Sequence, residues 1–313
     1  MLSDCKLQIL EELDDYSACL FSRAAAEDAD DITIDDIADD ALPADLPATE
    51  NAKYSLPIDF SVPPKPNPSC YTDDGYKDDS ITVKIETIEE DNVIWRVAHI
   101  SVKSPTQLRT ATAGKLTSSL TAKVKSMAEK NNAVIALSGD YFVDKPEKTS
   151  FEYRMGQKIR NKSNKIKDIL IIDENGDFHT FIKSKGLDEY KGQIINAFTF
   201  GPALVKDGAH LEMDQEYGYN PGGREPRAAI GQTGPLEYIF VIAEGRGDSV
   251  GATHQQLADF MHKIGCKEAY NLDGGGSASM AFRGNYINNL AGGERSLSDI
   301  IYFATAVPES SWQ

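Results

Sequence analysis

Seven consecutive residues, Asn271-Leu272-Asp273-Gly274-Gly275-Gly276-Ser277, hold the densest chemistry in the chain. Three glycines in a row present bare backbone. Ligand oxygens can approach their N–H groups closely, and each residue is free to take positive φ. Successive amides in such a loop can form a concave anion site. Asp273 stands where an apolar run meets the loop, so its carboxylate is a candidate acid or base. The bland alternative is a tight turn capped by Asp273. Other glycine-loop chemistries fit less well. No Gly-Lys-Ser/Thr ends the run, as a nucleoside-triphosphate loop needs, and β-type residues rather than a helix follow it. Ser277 is a weak nucleophile candidate, because Ser279 stands where the nucleophile elbow requires glycine.

Three arginines, Arg227, Arg246 and Arg295, lie beside glycines or at element ends. A guanidinium fork matches phosphate oxygens in shape and charge. Asp140 and Glu244, like Asp273, each follow an apolar run. Several strand ends can therefore present acids and arginines to one cleft. The five histidines are scattered; His254 and His262 share a helix but lie eight residues apart, too far for one metal. No metal site and no cofactor is implied, and a divalent cation is left open.

The elements that must position these groups are mostly strands. Ile81, Val83, Ile85 and Thr87 alternate with polar residues, and Val93–Val102 follows a turn, which predicts a hairpin. Asp168–Ile172 and Phe178–Ile182 flank Glu174-Asn175-Gly176-Asp177, a second hairpin signal. Strands are also expected over 194–200, 203–206, 227–231, 236–243, 268–272 and 300–304. A helix is predicted over Lys115–Lys130, with Leu116, Leu120, Val124 and Met127 on one face. The clearest helix is Thr253–Gly265, where Thr253 and Gln256 form a capping box and Gly265 stops the run. Many hairpins and few helices predict an α+β fold: a mixed, largely antiparallel sheet with a few packed helices in a single catalytic domain.

Charge divides the 313-residue chain. Met1–Glu50 holds 15 Asp/Glu and 2 Lys/Arg, a net of −13, whereas the whole chain is −17. Residues 1–56 are therefore expected to be an acidic, disordered tail. Seven of the 14 prolines fall between Pro43 and Pro68, so residues 57–79 are read as a Pro-rich linker and 80–307 as the domain. The acidity argues against nucleic acid as partner. No stretch reaches the ~20 apolar residues of a membrane span, and no signal peptide is visible. Four cysteines without C-x-x-C pairing indicate no disulfide framework; Cys266 opens an apolar run and is expected to be a buried thiol.

Five separated blocks, in order, resemble the phosphodiester glycosidase family. They are Leu137-Ser138-Gly139-Asp140-Tyr141-Phe142, Gly201-Pro202-Ala203-Leu204, Pro226-Arg227-Ala228-Ala229-Ile230-Gly231, Ala243-Glu244-Gly245-Arg246 with Gly251-Ala252-Thr253, and Asn271–Ser277 with Glu294-Arg295-Ser296-Leu297-Ser298. Ser138 departs from the family's Asn, Glu244 from its Asp, and Ala228 from the commoner Thr. The resemblance implies a hydrolase of sugar-1-phosphodiesters, acting outside the cytoplasm on cell-envelope or exopolysaccharide material. It implies Asp273, Asp140 and Glu244 as catalytic groups. Arg227, Arg246, Thr253, Asn271, Gly274, Gly275, Gly276, Ser277 and Arg295 would bind the substrate and its phosphate. The alternative is a non-catalytic carbohydrate- or phosphate-binding module of the same fold. Oligomeric state is left open.

Overall fold

The computed structural model describes residues 61–116, 119–140, 150–161, 167–213 and 220–312. The expected acidic tail lies outside these residues, as do Tyr141 and Phe142 of the first block. In chain order the strands are β1 (Gly75–Lys77), β2 (Ile81–Glu90), β3 (Val93–Val102), β4 (Leu108–Thr112), β5 (Ala122–Lys123), β6 (Ala133–Ser138), β7 (Phe151–Arg154), β8 (Gln157–Asn161), β9 (Ile169–Asp173) and β10 (Phe178–Phe181). Then come β11 (Ile194–Phe198), β12 (Ala203–Lys206), β13 (Ala209–His210), β14 (Arg227–Gly234), β15 (Glu237–Ala243), β16 (Glu268–Leu272), β17 (Met280–Phe282), β18 (Asn285–Tyr286), β19 (Ser296–Leu297) and β20 (Asp299–Ala304). Two α-helices accompany them among the described residues, α1 (Val124–Lys130) and α2 (His254–Lys263).

Eight strands form the large sheet in the order β1-β2-β3-β15-β14-β16-β12-β13. Two five-stranded sheets follow the orders β10-β9-β11-β7-β8 and β18-β17-β6-β20-β4, and β19 pairs with β5. Every pairing among the described residues is antiparallel. The fold is thus sheet-dominated rather than a balanced α+β arrangement. The physical reason is visible in β15, a continuous apolar run. Tyr238, Phe240 and Ile242 face the main core, while Ile239, Val241 and Ala243 face a second core under α2.

The main core packs one face of the large sheet against both smaller sheets, through residues such as Ile100, Leu137, Ile172, Phe198, Tyr270 and Phe303. On the opposite face α2 seats Leu257, Phe260 and Met261, and Phe260 stacks on Trp95 with centroids 3.9 Å apart. Cys266 is buried here, and burial pushes its thiol up to about 12. On the far side of the β6 sheet, α1 buries Val124 and Met127 against Ala136 and Ile300. The described residues therefore layer as helix, sheet, core, sheets, helix.

Two expectations change. The helix predicted from Lys115 begins only at Val124, because Ala122–Lys123 pairs with Ser296–Leu297 and Leu120 is exposed. Thr117, Ser118, Ser119 and Thr121 break up the preceding segment with poor helix formers. Within the stretch read as linker, Gly75–Lys77 is the edge strand of the large sheet, and Tyr76 is buried in the main core. The capping box at Thr253 and Gln256 forms as expected.

Candidate active site

The triple-glycine loop sits where the large sheet meets the β6 sheet. Asp273 follows β16; its amide donates to the Gly139 carbonyl at 3.1 Å, and Ser138 Oγ donates to its carbonyl at 3.2 Å. These bonds stitch the end of β16 to the end of β6, so the backbone of Asp273 lies against Gly139, the neighbour of Asp140 in the chain. Ser138, the departure from the family's Asn, thus holds backbone. Asn271 is buried in β16 and ties down the turn between β11 and β12: its amide donates to the Pro202 carbonyl at 3.0 Å and its Nδ2 to that of Gly201 at 2.8 Å.

The loop itself is clamped. Gly275 N donates to the Pro226 carbonyl at 2.7 Å, and Ser277 N to that of Gly274 at 3.0 Å. A Cβ on Gly274 would stand 2.7 Å from the Pro226 oxygen, so no side chain fits there. Gly275 adopts φ 59°, the left-handed region that costs other residues energy. Ser277 is buried beneath the loop.

The three arginines fall into two kinds. Arg246 is half exposed, with Nε and Nη2 on Glu225 Oε2 at 2.9 and 2.8 Å. Its Nη2 lies 3.6 Å from where a Gly275 Cβ would be. Arg295 is exposed, and its Nη1 lies 3.4 Å from a Cβ position on Gly276. Both guanidinium groups therefore flank the glycine loop. Arg227 is only 4% exposed. Its fork is committed inward: Nε to the Ala252 carbonyl at 3.0 Å, Nη2 to those of Asn220 and Gly223 at 2.7 and 2.9 Å, and Nη1 to His254 Nε2 at 2.9 Å. Burial draws Arg227 down to about 10, opposed by Glu225, so it remains charged near neutral pH. Arginine only donates, so His254 accepts at Nε2 and carries its proton at Nδ1. Burial beside Arg227 pushes that imidazole down to about 3. Thr253 caps α2, accepting from Gln256 N at 3.1 Å, next to the Ala252 carbonyl that Arg227 grips.

The carboxylates also separate. Glu244 Oε1 accepts from Arg96 Nε at 2.7 Å and from Asn289 N at 3.0 Å, and Oε2 accepts from Asn289 Nδ2 at 3.0 Å. It anchors the segment whose Ala291 carbonyl lies 3.4 Å from a Cβ position on Gly276. Asp140 is buried, with Oδ2 accepting from Thr199 N at 2.9 Å. Its amide donates to Asp299 Oδ1 at 2.9 Å, and Asp299 Oδ2 accepts from Arg154 Nε at 2.7 Å. Burial pushes Asp299 up to about 6, with Arg154 pulling down and Asp140 pushing up. Residue type and spacing alone mark neither Asp299 nor Arg154. A signal existed: Asp299 opens the apolar run of β20, where a lone carboxylate needs a partner. Among the described residues, no group of three or more His, Cys, Asp or Glu side chains is placed to hold a metal.

Residues 131–304 match the phosphodiester glycosidase family, more than half of the chain. The chain belongs to the phosphodiester glycosidase family. The matched span includes every candidate residue from Asp140 to Arg295. A 108-residue stretch is 35% identical to the SPbeta prophage-derived uncharacterized protein YomE of Bacillus subtilis (strain 168), over 34% of this chain and 17% of that protein. The chain thus matches a minor part of that relative's length. Among solved structures, the zebrafish N-acetylglucosamine-1-phosphodiester alpha-N-acetylglucosaminidase catalytic domain, auto-inhibited by pro-peptide, shares the fold at TM-score 0.56 and 19% identity, over 72% of this chain and 83% of that one. A hypothetical protein from Synechocystis aligns at TM-score 0.49 and 15% identity, over 72% and 62%. No helix among the described residues of this family member is long and apolar enough to cross a membrane.

Proposed function

We propose that the protein hydrolyses sugar-1-phosphodiesters, releasing free sugar and a phosphomonoester. The observation that carries this reading is the clamped glycine loop, flanked by the guanidinium groups of Arg246 and Arg295 and entered directly from Asp273. Arg246, Arg295 and the loop backbone at Gly274 and Gly276 hold the phosphate, while Gly275, its own amide committed to the Pro226 carbonyl, leaves room for the ligand's approach. Arg227, Glu244, Asn271, Thr253 and Ser277 keep those elements in place. Water attacks the anomeric carbon as the bond from that carbon to the phosphate oxygen breaks. The departing phosphate keeps the bonding electrons, and the water's proton passes to a carboxylate. A phosphomonoester is a stable anion, so strong general-acid help matters less here than for ordinary glycosides. Holding the growing negative charge matters more. Asp273 is the carboxylate on the sugar side, with Asp140 as the alternative.

The family resemblance supports envelope or exopolysaccharide material as the setting, reached outside the cytoplasm. A non-catalytic binding module is the second reading, favoured by Ser138, whose hydroxyl is committed to the Asp273 carbonyl. The test is incubation with a methyl diester of an α-sugar-1-phosphate. Release of reducing sugar and methyl phosphate supports the hydrolase. Saturable binding without release supports the module.

A further inference from the structure

At the other end of β6 from Asp140, a groove of about 560 Å³ opens between α1, the β17–β18 hairpin and the segment before β1. That volume is in the range of small-ligand sites. Its floor is aromatic: Phe282 is buried, and Tyr71 meets it edge-on with centroids 5.2 Å apart. Its rim is basic. Among the described residues, Lys65, Lys125 and Arg283 line it against one carboxylate, Glu129. Arg283 lies 5.9 Å from the Tyr71 ring and, among the described residues, pairs with the fully exposed Asp73 at 3.8 Å. Lys125 lies 5.7 Å from the ring of Tyr286. In a chain of net charge −17, a local excess of cations over aromatic rings selects an anion with an apolar face. A sugar carrying phosphate has both.

We propose that this groove is a second binding site, taking a phosphate-bearing segment of a polymeric glycan, an inference that rests on the sugar-phosphodiester reading. Ala133 lines the groove and Asp140 follows the same strand, so the two sites stand roughly 20 Å apart at the rise of an extended chain. Several linked sugars span that distance. The groove would hold the polymer while the glycine loop works on one of its diester bonds.

The test compares the full chain with a variant carrying Lys65→Glu, Lys125→Glu and Arg283→Glu. Three probes are used: a phosphodiester-linked oligosaccharide of several repeats, a neutral oligosaccharide of the same length, and the short methyl diester. All three positions are at the surface, and thermal melts verify folding. The expected result is a Kd for the charged oligomer at least tenfold weaker in the variant. Turnover of the short diester stays unchanged, the neutral oligomer binds neither protein well, and wild-type affinity falls as salt rises. Equal binding of the charged oligomer by a folded variant overturns the groove, even if the short diester is hydrolysed. Groove-dependent binding without hydrolysis of any diester keeps the groove and removes the hydrolase reading. Binding that appears only after Met1–Glu50 is deleted assigns the groove to the chain's own acidic segment and overturns the proposal.

Discussion

Arg227 and Arg295 look alike in the sequence, each embedded in a glycine-bearing block, yet the structure gives them opposite surroundings. Around Arg227, the fork donates to the carbonyls of Ala252, Asn220 and Gly223 and to the neutral His254, and α2 is locked to the start of β14. Around Arg295, the guanidinium faces solvent over the glycine loop. The carboxylates repeat the contrast: Glu244 is held by Arg96 and Asn289, whereas Asp273 contributes its backbone to the stitch between sheets and is part-exposed. The lesson is that charge type marks the neighbourhood of the site, and burial decides which charges remain available to a ligand. A buried guanidinium bonded inward on its whole fork stabilises; an exposed one beside bare backbone can bind.

That contrast can be broken at the loop itself. Gly275→Val requires a β-branched residue at φ 59° beside Arg246, so turnover or ligand binding should be abolished while the protein stays folded. Steady-state assays and a melting curve on the same sample decide this; normal activity would make the loop a mere turn. Asp273→Asn keeps the shape and removes the charge, and kcat should fall by roughly 100-fold or more if the carboxylate moves a proton. Near-normal kcat would shift the role to Asp140.

The buried half is sharpened by pH. His254 titrates near 3 in the folded protein against 6.5 as its ordinary value. Between those values the unfolded chain takes up a proton that the folded one does not. The neutral imidazole therefore contributes stability above pH 6.5 that is lost as pH falls toward 3. Asp299 has the opposite sign, since its folded-state carboxyl holds its proton up to about 6 and its contribution is lost as pH rises through that value. In His254→Gln the amide oxygen still accepts from Arg227. The difference in melting temperature between wild type and this variant should be largest above pH 6.5 and close on acidification. A pH-independent gap would remove the assignment. The smallest effect is expected from deleting Met1–Thr49, whose charge and scarce large apolar residues offer little to bury; folding and activity should be unchanged, and a cooperative loss of several kcal/mol would contradict this.

Much of this arrangement was legible in local patterns. Alternation located β2 and β3, and Thr253 with Gln256 located the start of α2, because pleats and caps are set by near neighbours. Partnership between strands was not legible. The strands expected over 194–200 and 203–206 lie on either side of Gly201-Pro202, yet they belong to different sheets, and that crossing places Thr199 on Asp140 and Asn271 on Gly201. The helix expected from Lys115 failed because a two-residue strand pairing with Ser296–Leu297, distant in sequence, overrode a plausible apolar stripe. At the site, the glycine loop and the three arginines were readable from residue type. The commitment of Arg227 and Glu244, and the buried Asp299–Arg154 pair, depended on contacts far along the chain.

On the proposed reading, Arg295 serves the ligand and Arg227 serves the fold. The most direct measurement pairs Arg295→Lys with Arg227→Lys, taking kcat, KM and melting temperature for each on one sugar-1-phosphodiester. Lysine keeps the charge and loses the fork. Arg295→Lys should raise KM and lower kcat by about tenfold at an unchanged melting temperature, since the leaving phosphate gains charge in the transition state. Arg227→Lys should strand buried carbonyls and cost ~2–4 kcal/mol of stability, seen as a melting temperature lower by several degrees. The reverse pattern, a stability loss at Arg295 and a purely kinetic loss at Arg227, would overturn this division of roles.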